Sequence, residues 1–154
     1  MNASNASPAT DADHAVVLPP TRAFDSVEAG EHLPDLAIPL DRSLIVATAI
    51  ASRDFQPVHH DPSFAQNAGS QDVIMNILTT NGFVGRYITD WAGPNALLKR
   101  VSIRLGAPNY PGDTMTMTGQ VTELNPETKA VVVAIRGANS LGDHVSGTVE
   151  VQLP

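Results

Sequence analysis

The chain has 154 residues, 9 Lys plus Arg against 16 Asp plus Glu for a formal net charge of −7, and no cysteine. That length holds a single core, the acidic balance speaks against a nucleic-acid-binding face, and the lack of cysteine excludes disulfides, thiolate chemistry and cysteine-type zinc sites. The chain starts without a basic, apolar leader and has no stretch near the ~18 apolar residues of a membrane span, so a cytoplasmic protein with no membrane partner is expected.

Residues 1–21 are rich in Ala, Ser, Asn, Asp and Pro, end in Pro19-Pro20, and read as a disordered tail before one domain over residues 22–154. Leu36, Ile38 and Leu40 alternate with Ala37 and Pro39, which predicts a short strand kept at a sheet edge by its prolines. Residues 43–52 read as a short helix. Asp61-Pro62 reads as an N-cap followed by proline at the first helical position, opening a turn that runs to Gly69. Between residues 72 and 91, Ile74, Ile77, Val84, Ile88 and Trp91 recur at helical spacing, with Leu78 and Tyr87 widening the stripe into one long helix. Gly82 and Gly85 inside it cost about 1 kcal/mol each against alanine, and close packing against a sheet is the expected compensation.

After Gly93-Pro94 come four stretches of period-two alternation: Val101, Ile103, Leu105; Met115, Met117, Val121; Val131, Val133, Ile135; and Val145, Val149, Val151, Leu153. The joints at residues 111–113, 125–127 and 139–143 carry Pro, Gly, Asn and Asp, so an antiparallel meander with one buried face is expected. The fold class is α+β, a sheet with one central helix.

Asp54-Phe55-Gln56-Pro57-Val58-His59 sets a carboxylate and an imidazole five positions apart. In an unbroken helix that spacing diverges, but Pro57 removes a donor and disfavours helical geometry at Gln56, so the bent chain lets both side chains converge. A converged Asp and His can hold a water for attack on a carbon–carbon double bond. The plainer reading makes Asp54 a turn cap and His59 a core histidine. No metal site is expected at His59-His60-Asp61, because adjacent residues on a bend diverge and His14, His32 and His144 stand at no ligand spacing from it. His60 reads as exposed and Asp61 as a cap.

Ser52-Arg53-Asp54-Phe55-Gln56-Pro57-Val58-His59, with Ala65 after it, resembles the motif of the MaoC-like, R-specific enoyl-CoA hydratases: Ser/Thr-Gly-Asp-x-Asn-Pro-Ile/Val-His and then a small residue. Arg53 replaces the family's glycine and Gln56 its asparagine. The resemblance, carried from residue 22 to the C-terminus, implies a hotdog fold and reversible hydration of a 2-enoyl-CoA. It also implies that Asp54 and His59 share one water, which supplies both hydroxyl and proton, and that no cofactor is needed beyond the CoA thioester substrate. A family glycine whose backbone N–H meets the thioester oxygen falls on Asn76, and a pocket-lining serine on Asn81. The plainer reading of both asparagines is solvated helix surface, and for Asn81 the two readings stand level.

Residues 73–82 and 87–94 resemble the small MaoC-like subunits of actinobacterial hydratases acting on steroid side-chain CoA esters. This implies a hetero-oligomer with a second MaoC-like subunit that lacks the catalytic pair, or otherwise a homodimer. A single sheet with an open edge calls for a partner on physical grounds alone. Lys99, Arg100 and Arg104 form the basic cluster of an acidic chain and could meet CoA phosphates within the subunit or across an interface, or form an ordinary solvated strand face. Two alternatives stand beside the hydratase: a hotdog acyl-CoA thioesterase, and a non-catalytic acyl-CoA-binding partner subunit, for which Arg53 beside Asp54 would pair off the carboxylate.

Overall fold

A computed structural model describes residues 19–154. The expected tail up to residue 18 lies outside the described residues, and Pro20 and Thr21 already lie against the domain at Gly93. Thr21 Oγ1 accepts from the Asn95 backbone N–H at 2.9 Å, and the Arg22 N–H donates to Ala92 O at 2.9 Å. The Arg22 guanidinium lies 4.9 Å over the Trp91 ring and pairs with Glu31.

The elements run β1 (His32–Pro39), α1 (Arg42–Ala51), a 3-10 turn (Pro57–His59), α2 (Pro62–Asn67), α3 (Ile77–Ala92), β2 (Leu97–Leu105), β3 (Thr114–Asn125), β4 (Ala130–Asn139) and β5 (Gly142–Gln152). Capping follows the sequence chemistry. Asp41 accepts from Leu44 N at α1, Asp61 accepts from Phe64 N ahead of Pro62 at α2, and Asn76 accepts from Thr79 N at α3. Gly93, at φ +91°, ends α3, and any Cβ there would stand 2.5 Å from Thr21 Cα.

The long helix starts later than its periodicity suggests. Val73, Ile74 and Met75 lie outside the helix, because the Asn76 side chain takes the cap position. The chain ahead of it is also tied sideways, with Ile74 N donating to Val58 O and Met75 N to Asn109 O at 3.2 Å each.

The sheet is antiparallel with the order β1-β3-β4-β5-β2. The expected meander therefore holds for β3, β4 and β5 alone. The residue 106–113 connection carries the chain across the sheet, so β2 pairs with β5 and forms the far edge, while β1 with its two prolines forms the near edge. Inward residues Met115, Met117, Val121, Val131, Val133, Val145, Val149 and Val151 are at most 1% exposed against Val84 and Ile88 of α3. Each such side chain contributes about 1.5–3 kcal/mol by burial.

The alternating residues of β2 do not follow: Val101 and Leu105 are 38% and 37% exposed. They share the inward face with their β5 partners Val149 and Val145 but lie at the sheet's margin, where burial ends. The two helix glycines are also not closely packed. A Cβ at Gly82 would meet nothing within 4 Å, and one at Gly85 only Leu98 Cδ1 at 3.8 Å. Gly82 instead borders an open trough between α1 and α3.

Candidate active site

Helix α1 ends in the segment that carries the carboxylate. Arg53 adopts φ +58°, a left-handed conformation that glycine takes without strain and that explains the family's glycine at this place. The turn brings Asp54 back so that its N–H donates to Ala49 O at 2.9 Å. Pro57 then opens the 3-10 turn and swings His59 inward to 8% exposure. The two side chains meet, with His59 Nε2 at 3.2 Å from Asp54 Oδ2. The bend at Pro57 thus brings together residues that a helix would have separated.

His59 Nδ1 lies 2.7 Å from Ile74 O. A carbonyl only accepts, so Nδ1 carries the proton and Nε2 is the nitrogen that faces Asp54. With a neutral ring, an imidazole lone pair and a carboxylate lone pair then point at one place. A water there donates one hydrogen to each and turns its own lone pair outward as a nucleophile.

Asp54 is held on both oxygens. Oδ1 accepts from Gln56 N at 3.3 Å and Oδ2 from Asn76 Nδ2 at 3.0 Å. The Asn76 hydrogen bond, with the Gln56 N–H adding to it, keeps the Asp54 carboxyl below the usual carboxylate range against the opposing effect of desolvation. The Arg53 side chain is exposed and forms no ion pair among the described residues. It does not pair off Asp54, and that feature of the non-catalytic reading is not realised.

Asn76 is 2% exposed and sits at the start of α3, so it is no solvated surface residue. Its backbone N–H donates to no acceptor among the described residues, and it points from a helix N-terminus, where positive partial charge gathers. Sequence reasoning missed its side chain, which also donates to Ser52 Oγ at 2.9 Å. It missed Ser52 as well, although Ser52 opens the motif; its hydroxyl in turn donates to Thr48 O at 2.7 Å. The cue was the helix-capping preference of asparagine at the residue before an apolar run.

Asn81 lies one turn further along α3, and its Nδ2 donates to Ile77 O at 3.1 Å, so it is not brought to the pair. Lys99, Arg100 and Arg104 stand on β2. Arg100 and Arg104 share the outer face with Glu150 and Ser146, on the side of the sheet away from α3. Lys99 sits at the β2 bulge with Nζ 3.4 Å from Gln152 Oε1. Within one subunit the basic cluster and the Asp54–His59 pair are therefore not on the same face. His60 is exposed and Asp61 caps α2, as expected.

Beside Ser52 opens the α1–α3 trough of about 350 Å³, bordered by Thr48, Ala51, Leu78, Gly82 and Phe83, with Arg86 at its rim. Ile50, Phe55 and Leu78 around the site are 55%, 67% and 49% exposed. The catalytic candidates thus open onto an apolar surface rather than a closed cleft.

One long helix wrapped by an antiparallel sheet, with an Asp–His pair at the helix start, defines a hotdog-fold domain of hydratase type. The MaoC-like domain family matches residues 26–140, and the chain belongs to it. It is 50% identical to the 3-oxo-4,17-pregnadiene-20-carboxyl-CoA hydratase beta subunit of Mycobacterium tuberculosis, over 80% of this chain and 95% of that protein. It is 32% identical to an (R)-specific enoyl-CoA hydratase of Rhodospirillum rubrum, over 70% of this chain and 75% of that protein. A chain in the crystal structure of the ChsH1-ChsH2 complex from Mycobacterium tuberculosis superposes with a TM-score of 0.81 at 48% identity, covering 83% of this chain and 99% of that one.

Proposed function

We propose that the chain adds water reversibly to a 2-enoyl-CoA, a hydro-lyase reaction in which Asp54 and His59 activate the water. The observation that carries this reading is the 3.2 Å approach of His59 Nε2 to Asp54 Oδ2, with Nδ1 anchored on Ile74 O. The water oxygen bonds to Cβ while one of its protons passes to the pair. The π electrons of the double bond move toward Cα, and negative charge builds on the thioester oxygen. The Asn76 backbone N–H at the α3 N-terminus meets that oxygen. The pair returns the proton to Cα, so one water supplies both groups and no cofactor takes part.

The acyl group we assign is bulky and of steroid side-chain type. The Mycobacterium tuberculosis relative is named for a pregnadiene carboxyl-CoA, and the apolar trough beside Ser52 gives such a group room without a closed end. Asn81 lies on α3 but does not border this trough, its amide being turned to Ile77 O.

The partner we assign is a second MaoC-like subunit, or failing that a second copy of this chain. Support comes from the exposed apolar residues Leu97, Val101 and Leu105 on the β2 edge and from Ile50, Phe55 and Leu78 around the site. Arg100 and Arg104 would reach CoA phosphates only across such an interface. The setting is the cytoplasm, where acyl-CoA metabolism proceeds; among the described residues no helix is long and apolar enough to cross a membrane. Residues 22–154 are assigned as a single domain.

The test is to mix the purified chain, with any subunit that copurifies, with crotonyl-CoA and with longer and ring-bearing 2-enoyl-CoAs, following enoyl-thioester absorbance and free thiol together. Loss of absorbance without thiol is the expected result. Thiol release would replace the reading with a thioesterase, and no change on any substrate would remove the catalytic reading.

A further inference from the structure

We propose that the Asn76 side chain is a positioning residue for the reaction: its amide fixes the Asp54 carboxylate and couples it to the first turn of α3. This rests on the reading of Asp54 and His59 as the reacting pair, and it assigns Asn76 a role distinct from that of its backbone N–H.

The orientation of the amide is decided by chemistry rather than by choice. Thr79 N–H can only donate, and it lies 2.9 Å from Asn76 Oδ1. The oxygen therefore faces the helix, and the nitrogen must face Ser52 Oγ and Asp54 Oδ2, at 2.9 and 3.0 Å. Both amide hydrogens are used, one on the hydroxyl and one on the carboxylate. At 2% exposure the side chain has no competing water to satisfy it, so the fork is enforced by burial.

Two consequences follow for Asp54. Its Oδ2 has one lone pair taken by Asn76, which leaves the other on the side of His59 Nε2, 3.2 Å away, where a water beside the two atoms can reach both. A donor on the carboxylate also favours the ionised form. The titratable group facing Asp54 is His59, on the 3-10 turn. From α1 comes Ser52 and from α3 Asn76, neither of which titrates; Arg53 is exposed, and Arg86 on α3 is engaged with Asp90 at 3.2 Å. Asn76 is thus the neutral side-chain donor that favours the ionised carboxylate most.

The family's glycine at this position can offer a backbone N–H but no side-chain donor. In this chain the backbone N–H of residue 76 and the amide of the same residue serve opposite ends of the reaction, one for the thioester oxygen and one for the base. Substitutions of the side chain leave the backbone donor in place, so the two roles separate by experiment.

Asn76→Asp keeps an oxygen at the cap, where a carboxylate is favoured, and replaces the donor facing Asp54 with an acceptor of like charge. Asn76→Ser keeps a good cap but is too short to span to Asp54. The full chain, with any subunit that copurifies, is assayed on crotonyl-CoA across pH beside Asp54→Asn.

The expected result is an acid limb of kcat/KM moved up by about one pH unit or more in Asn76→Asp and by less in Asn76→Ser, with kcat lowered at least about tenfold and KM changed less than about threefold. If the limb stays where it is in both folded variants, or if KM alone changes, Asn76 is only a helix cap. Should Asn76→Asp fail to fold, Asn76→Ser carries the same two outcomes. Asp54→Asn separates the premises: its full activity overturns the reading of the pair, whereas its loss of activity with an unmoved limb in the Asn76 variants overturns the role of Asn76 alone.

Discussion

His144 makes stability depend on pH in a window where the carboxylates do not. It is 3% exposed on β5, with Nδ1 2.6 Å from Ala107 O and Nε2 2.8 Å from Thr80 Oγ1. Ala107 O only accepts, so Nδ1 is protonated and the ring is neutral when Thr80 donates to Nε2. Burial holds the pKa below the ordinary 6.5, and the Ala107 hydrogen bond only partly opposes it. The unfolded chain therefore takes up a proton near pH 6.5 that the folded chain refuses until lower pH. Stability is fully present above 6.5 and falls as pH drops toward the folded pKa, with a slope of at most about 1.4 kcal/mol per pH unit. Asp54, Asp72 and Asp113 have lowered values, so their contributions are lost only as pH falls below the ordinary 3.8.

The perturbation that checks this is His144→Gln, whose amide cannot titrate. One buried partner, the Ala107 carbonyl or the Thr80 hydroxyl, loses its hydrogen bond, which costs about 1–3 kcal/mol at neutral pH. Urea unfolding followed by far-UV circular dichroism at about pH 5, 6 and 7.5 gives the slopes. The wild-type midpoint should fall between pH 6.5 and 5 while the variant's stays nearly flat. Equal slopes in the two proteins would refute the argument and place a charged imidazole in the core.

Asp54→Asn and His59→Ala should each leave a folded protein with hydration reduced by about 10²- to 10⁴-fold, measured by enoyl-thioester absorbance; near-normal turnover in both would sink the mechanism. Gly82→Leu fills the α1–α3 trough, and should slow ring-bearing substrates about tenfold or more while crotonyl-CoA changes less than about threefold, so equal effects on both would show that the acyl group lies elsewhere. Val101→Asp puts a charge on the apolar β2 margin and should lower the mass seen by light scattering to that of the single chain; an unchanged oligomer would move the interface off this edge.

Much of the molecule is set by local chemistry and is therefore readable along the chain. The Asp–Pro–His spacing, the Asp61-Pro62 cap, the Asn and Gly turns and the alternation in β3, β4 and β5 each depend on residues within a few positions of one another. The same locality explains the Asp54–His59 pair, which needs only the bend at Pro57 to close. What depends on distant residues was decided in three dimensions. Strand order is one case: the alternation in β2 looks the same whether its neighbour is β3 or β5, because pairing between strands leaves no mark on one strand's pattern. The exposure of Val101 and Leu105 follows from that order. Gly82 and Gly85 looked like packing glycines, yet only the crossing of α1 over α3 leaves the space that Gly82 borders. Asn76 is the sharpest instance. Its residue type foretells a helix cap, but the reach of its amide to Ser52 and Asp54, 24 and 22 positions earlier, exists only once α1 and α3 have packed.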